Sequence, residues 1–187
     1  MLNSQDAGGD PTREWRQECA RDLARQYAIP PPQQVAAVFV LQWYLGAVAR
    51  ASAHLTVASV GLQLDLAPEN MAIRRSAVGG YPVAVELSAE TAWESAPSSE
   101  DRWLRATSEF HAHAQHFVAG YRPEVKLGSA LRAGSIRDSW DSARASADPD
   151  WPLSTRRTSC CFIYPLPGVI ECARCPRRTL SGQPRPF

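Results

Sequence analysis

The stretch VAAVFVLQWYLGAVA, residues Val35 to Ala49, decides how the chain folds. Its fifteen residues carry no charge and are interrupted by one amide, Gln42. A helix needs about twenty apolar residues to cross a bilayer, so this shorter run reads as the buried helix of a protein core. The helical region around it is expected over about 34–55, with an apolar stretch continuing to Leu66. Upstream, Asp10 is placed to cap a helix from Pro11 to about Tyr27, with Trp15, Cys19, Ala20 and Leu23 on one face. Ile29-Pro30-Pro31-Pro32 stops it, because proline removes a backbone donor and clashes with the preceding turn.

Downstream, Ala67-Pro68-Glu69-Asn70 is a break. Met71 to Arg75 and Pro82 to Leu87 read as short strands around Val78-Gly79-Gly80, an antiparallel hairpin. Ser98-Ser99-Glu100-Asp101 opens a helix to about Gly120 with a capping-box-like start. Pro123 is expected to begin another helix ending near Gly134, and Ser135 with Asp138 to cap one more, to about Ala147. The fold class is therefore α+β, a mainly helical body with a small antiparallel sheet. No repeat or heptad array is visible.

The chain has 187 residues, enough for one domain, and 44% of them are hydrophobic, enough for a core. A net charge of +1 argues against a partner with a phosphate backbone: no nucleic acid is expected. The charge is unevenly spread. Residues 1–150 hold fourteen Arg/Lys against eighteen Asp/Glu, while 151–187 hold six Arg against one Glu. Four of the five cysteines lie in that basic end. The polar start, Met1 to Thr12, lacks the pattern of a secretory signal, and with no transmembrane segment expected the localisation reads as cytoplasmic. In a reducing compartment, clustered cysteines are metal ligands more often than disulfides.

The basic end reads Arg156-Arg157-Thr158-Ser159-Cys160-Cys161, ten residues, then Cys172-Ala173-Arg174-Cys175-Pro176. Sulfurs three positions apart converge in one turn, the usual half of a metal site. Leu166-Pro167-Gly168-Val169 suits a type II turn, with Phe162-Ile163-Tyr164 and Val169-Ile170 as extended arms that bring the two cysteine pairs together. Adjacent residues in an extended chain point to opposite faces, so Cys160 and Cys161 do not easily share one small tetrahedral ion without a kink. A bulkier two-iron cluster is easier to reach, which favours an all-cysteine [2Fe–2S] centre over zinc. Arg156, Arg157, Arg174, Arg177 and Arg178 flank these cysteines. They either raise the potential of an anionic cluster or simply solubilise the segment. A zinc-stapled interaction module, and a plain electron carrier or redox sensor, stand as alternatives.

The Arg-Arg-x-x-Cys-Cys start, the spacer with Tyr164 and Pro167-Gly168, and the Cys-x-x-Cys-Pro end resemble the C-terminal signature of FhuF-like ferric siderophore reductases. The resemblance covers about twenty residues. It implies that Cys160, Cys161, Cys172 and Cys175 ligate one [2Fe–2S] cluster per chain. It also implies that the protein passes one electron to ferric iron in hydroxamate-type siderophore complexes, releasing ferrous iron in the cytoplasm. No catalytic residue separate from the cluster is expected. With this reading the fold expectation is completed by a C-terminal cysteine-rich hairpin. The segments are then a flexible 1–12, a body over 13–150, a cluster-binding 151–178 and a flexible 179–187.

Cys19 reads as a buried structural thiol. Glu109, His113 and His116 share a helical face and invite a second metal site, but a single helix with solvated histidines is the expectation there. His54 is expected at the end of the buried helix. Neither a nucleophile elbow nor a phosphate loop nor a dinucleotide fingerprint occurs, so the electron donor is an unidentified separate partner. Trp43, Trp103 and Trp140 are expected to pack the core.

Overall fold

A computed structural model describes residues 10–58, 66–67, 70–87 and 98–178. The architecture is α+β. The described elements are α1 (Arg13–Tyr27), α2 (Gln33–Ala58), β1 (Met71–Arg75), β2 (Pro82–Leu87), α3 (Ser99–Gly120) and α4 (Ser129–Ala147). The strands form a two-stranded antiparallel sheet in which Met71 pairs with Leu87 and Ile73 with Val85.

α2 is the hub, packing against α1, α3, α4 and β2. It is long and apolar enough, by length and composition, to cross a membrane, and most of its apolar window is buried inside the protein. Val35, Val38, Val40, Leu41, Leu45 and Val48 are wholly enclosed. Side chains of this size contribute about 1.5–3 kcal/mol each on full burial, so α2 dominates the cohesion of the fold. The core also takes in Trp15, Cys19, Trp103, Phe110 and Trp140. Trp140 stacks on Phe110 at 5.1 Å and meets Trp103 edge-on at 6.2 Å.

Local chemistry sets the element ends. Asp10 and Thr12, expected in a flexible lead, are tied to α1. The Asp10 carboxylate accepts hydrogen bonds from the Thr12 N–H and hydroxyl and pairs with Arg16 at 2.7 Å. Ser98 caps α3, its hydroxyl accepting from the Asp101 N–H at 3.0 Å. Gly79 and Gly80 take φ of 80° and 64° in the hairpin turn, a region open to glycine. The Trp15 indole N–H donates to the Gly80 carbonyl at 2.7 Å and fastens that turn to α1.

Two expectations in the second half are corrected. No helix starts at Pro123: residues 121–128 form a connecting loop. Tertiary ties hold it open, because Glu124 is bonded to Arg16 and the Arg132 guanidinium donates to the Val118, Tyr121 and Leu127 carbonyls. Nor does a helix end at Gly134 and restart at Ser135. α4 runs through both, and Ser135 is fully buried in its interior. The glycine is needed for close approach, since a Cβ there would lie 2.9 Å from the Thr158 hydroxyl and 3.3 Å from the Ser159 nitrogen.

Candidate metal centre

The basic end starts where α4 stops. The Asp148 N–H bonds to the Arg144 carbonyl at 2.7 Å, and the Arg144 guanidinium lies 3.4 Å over the Trp151 ring. The chain then returns along α4 and meets Asp138. One carboxylate oxygen of Asp138 accepts the Thr158 N–H at 2.9 Å and the Thr158 hydroxyl at 3.0 Å. The other accepts the Ser159 N–H at 2.7 Å and the Ser159 hydroxyl. Arg157 adds an ion pair at 3.6 Å. Asp138 is only 4% exposed, and burial by itself opposes ionisation. The hydrogen bonds from Ser159 and Thr158 outweigh it and hold the carboxyl below its ordinary range. The amide that interrupts the apolar run of α2 joins the same anchor, Gln42 donating to the Ser159 hydroxyl at 3.2 Å. Two helices thus fix the residue immediately before Cys160.

Between the cysteine pairs the chain is not a strand hairpin. The Pro167-Gly168 turn forms as expected, with Gly168 at φ 74° and the Val169 N–H on the Leu166 carbonyl at 3.3 Å. The flanking residues 162–164 and 169–170 are not strands. Further turns close by bonds from Leu166 to Ile163, Cys175 to Cys172 and Arg178 to Cys175. The segments that carry the two pairs are joined by one backbone bond and by arginine side chains. The Arg157 N–H bonds to the Arg174 carbonyl at 2.8 Å, the Arg156 guanidinium donates to the Pro176 carbonyl, and Arg174 donates to the Ser154 carbonyl at 2.8 Å and the Ser142 hydroxyl at 3.0 Å. Arg177 pairs with Glu171 at 3.3 Å and lies 3.7 Å over the Tyr164 ring. The arginines that flank the cysteines are therefore cross-braces, beyond any effect of their charge.

The kink that adjacent cysteines require is present. Phe162 adopts φ 58°, a left-handed conformation uncommon for a residue with a side chain, and its N–H reaches the Cys160 sulfur at 3.4 Å. A backbone N–H aimed at sulfur favours the thiolate. Cys160 and Cys161 are half-buried, Cys172 is exposed and Cys175 is buried, and all four are free thiols. Burial pushes the Cys160 thiol up, the Phe162 N–H opposes this, the charges of Cys161 and Cys175 add to it, and Arg177 counters them. Cys172 is raised first by burial, then by Cys175 and Cys161, with Arg157 opposing. Cys160 is influenced by Cys175 and Cys172 by Cys161, so the two ends of the segment lie within electrostatic reach of each other. Among the described residues, no three His, Cys, Asp or Glu side chains stand close enough together to hold a metal ion as placed. The all-thiol donor set and the N–H···S bond suit an iron–sulfur centre in chemistry, and the kink at Phe162 equally removes the obstacle to a single tetrahedral ion.

Cys161 and Cys172 open onto a groove of about 530 Å³ between α2, α4 and the basic end. Its walls include Phe39, Trp43, Arg50, Asp138, Ser142 and Arg174. Sequence reasoning took Gly134 and Asp138 for helix punctuation and missed this groove. The one signal for it was Gln42, a polar residue in an otherwise apolar helix.

The other candidates part company with the centre. Cys19 is 1% exposed, and burial pushes its thiol up to about 12, as expected of a structural cysteine. His113 is not on a solvated face. It is buried, with one ring nitrogen 2.7 Å from the Leu66 carbonyl and the other 2.9 Å from the Tyr44 hydroxyl, so neither remains for a metal. The Leu66 carbonyl accepts only from an N–H, which makes the facing nitrogen the protonated one.

Compared with known proteins, the chain matches no family model, no curated protein and no solved structure. The likeness to ferric siderophore reductases therefore rests on the cysteine motif itself.

Proposed function

We propose that the protein is a [2Fe–2S] oxidoreductase that passes one electron to ferric iron in a siderophore-type chelate in the cytoplasm. The observation that carries this reading is that Cys161 and Cys172, one from each pair, line the same open groove, with the Arg157 N–H bonded to the Arg174 carbonyl between the two segments. Bound there, the cluster would supply a one-electron reductant to a neighbouring acceptor. The four cysteines would hold it as thiolates. Asp138 and Gln42 fix the Cys160 end, while Arg156, Arg157 and Arg174 hold the Cys175 end against it. The Phe162 N–H and the charges of Arg157 and Arg177 offset the negative charge of the sulfurs.

The balance is simple. One electron converts ferric to ferrous iron, no bond forms between protein and chelate, and the more weakly held ferrous ion leaves. A separate one-electron donor restores the reduced state. The test follows ferrous release from a ferric hydroxamate with chemically reduced protein under anaerobic conditions, trapped by a ferrous-specific chelator. Release close to one ferrous ion per reducing equivalent supports the reading. A coloured, reducible protein that releases none from several chelates is a plain carrier or sensor. A colourless zinc protein is an interaction module.

A further inference from the structure

Resting on that reading, we infer that the groove beside Cys161 and Cys172 selects a negatively charged, oxygen-donor metal chelate, with Arg50 and Arg174 as its charge contacts and Trp43 as its flat wall. This departs from the neutral hydroxamate complexes that the motif alone implies. At about 530 Å³ the groove falls within the range of small-molecule sites, roughly 300–1,000 Å³.

Its electrostatics are one-sided. Asp138 is the one carboxylate among the described residues that line it, and it is already engaged by Arg157, Thr158 and Ser159. Arg50 and Arg174 remain. Asp141 on α4 lies in the field of Arg174 but does not line the groove. Arg50 is exposed, with its guanidinium over Gly46. Arg174 is held by the Ser154 carbonyl and the Ser142 hydroxyl, yet its second terminal nitrogen is buried without a hydrogen-bond partner. That nitrogen is closed off from solvent, so Arg174 acts on a ligand in the groove through its positive charge, which no groove-lining carboxylate other than the engaged Asp138 opposes.

A neutral chelate gains little from two guanidinium groups. An anionic one approaching a thiolate-rich centre needs them, because they offset the repulsion. Trp43 is already fixed, stacked on Trp15 at 6.3 Å and tilted against Phe39 at 5.4 Å, so it offers a rigid apolar face.

Gallium(III) chelates test the groove without any electron transfer. Binding of a trianionic gallium tris-catecholate and of a neutral gallium tris-hydroxamate to the full chain is measured by calorimetry. The expected result is a Kd at least tenfold lower for the anionic complex, weakening as salt is raised. Arg50→Gln should remove most of that preference, and Arg50→Lys should keep most of it. Ser142→Asp, which sets a carboxylate beside Arg174 at an exposed position, should also abolish it. Equal or tighter binding of the neutral complex overturns the inference, as does an unchanged preference in folded Arg50→Gln and Ser142→Asp proteins. Charge-selective gallium binding without ferrous release from the iron analogues would sink the reductase reading alone. Ferrous release without charge selectivity would sink the groove assignment alone.

Discussion

The helical body and the basic end are held together by different forces. In the body, α2 sinks six aliphatic side chains completely and touches three helices and a strand. In residues 151–178 only Leu166 and Cys175 join the buried hydrophobic set. That segment is held instead by Asp138 and by arginines bonded to carbonyls. Apolar cohesion is spread over many contacts, so each substitution removes a fraction of it. Polar anchoring is concentrated, so one substitution releases the segment.

Asp138→Ala breaks the comparison hardest. It strands the buried Ser159 donors, the Thr158 N–H and the Arg157 charge, a loss of about 3–5 kcal/mol in docking. Residues 156–175 should lose hydrogen-exchange protection while α2 keeps its own; unchanged protection over 156–175 would contradict the anchor. Leu41→Ala is the converse, with about 2–4 kcal/mol lost from the whole fold and a lower Tm across all helices. A Tm within a degree of the parent would show that α2 is not the hub.

Gly134→Ala sharpens the contrast, since it sets two effects against each other. Alanine favours the helix interior by about 1 kcal/mol, but its Cβ presses on Thr158 and Ser159. The expected outcome is α4 no less protected and 156–161 more open. Equal opening of both would mean that the glycine serves the helix alone.

The smallest effect is a pH dependence confined to the body. Burial holds His113 below its ordinary pKa, so the unfolded chain binds more protons over the window beneath about 6.5. Its contribution is complete above that value and falls away as pH drops toward the folded pKa. Tm should fall between pH 7 and pH 5, and His113→Gln should fall less steeply. Parallel curves would remove His113 as the cause.

Most of the body was legible because its signals are local. The apolar run, the prolines, the two glycines of the hairpin and the Ser98 cap each act on their own neighbourhood. Gly134, Ser135 and Asp138 misled for the opposite reason. Within their own helix they look like a stop followed by a cap, and only Thr158 and Ser159, some twenty residues on, explain them. His113 misled in the same way, its partners Leu66 and Tyr44 lying far off in sequence. At the basic end the Pro167-Gly168 turn was readable from residue type. The flanking strands were not formed, because arginine side chains and one backbone bond from Arg157 to Arg174 do the joining there. Such braces leave no periodic trace.

The most direct measurement is the iron, zinc and acid-labile sulfide content of protein purified without oxygen, beside its visible spectrum. A brown protein with about two irons and two sulfides per chain, lost or altered in Cys161→Ser and retained in Cys19→Ser, is the result expected. A colourless protein carrying one zinc and no sulfide would contradict the account.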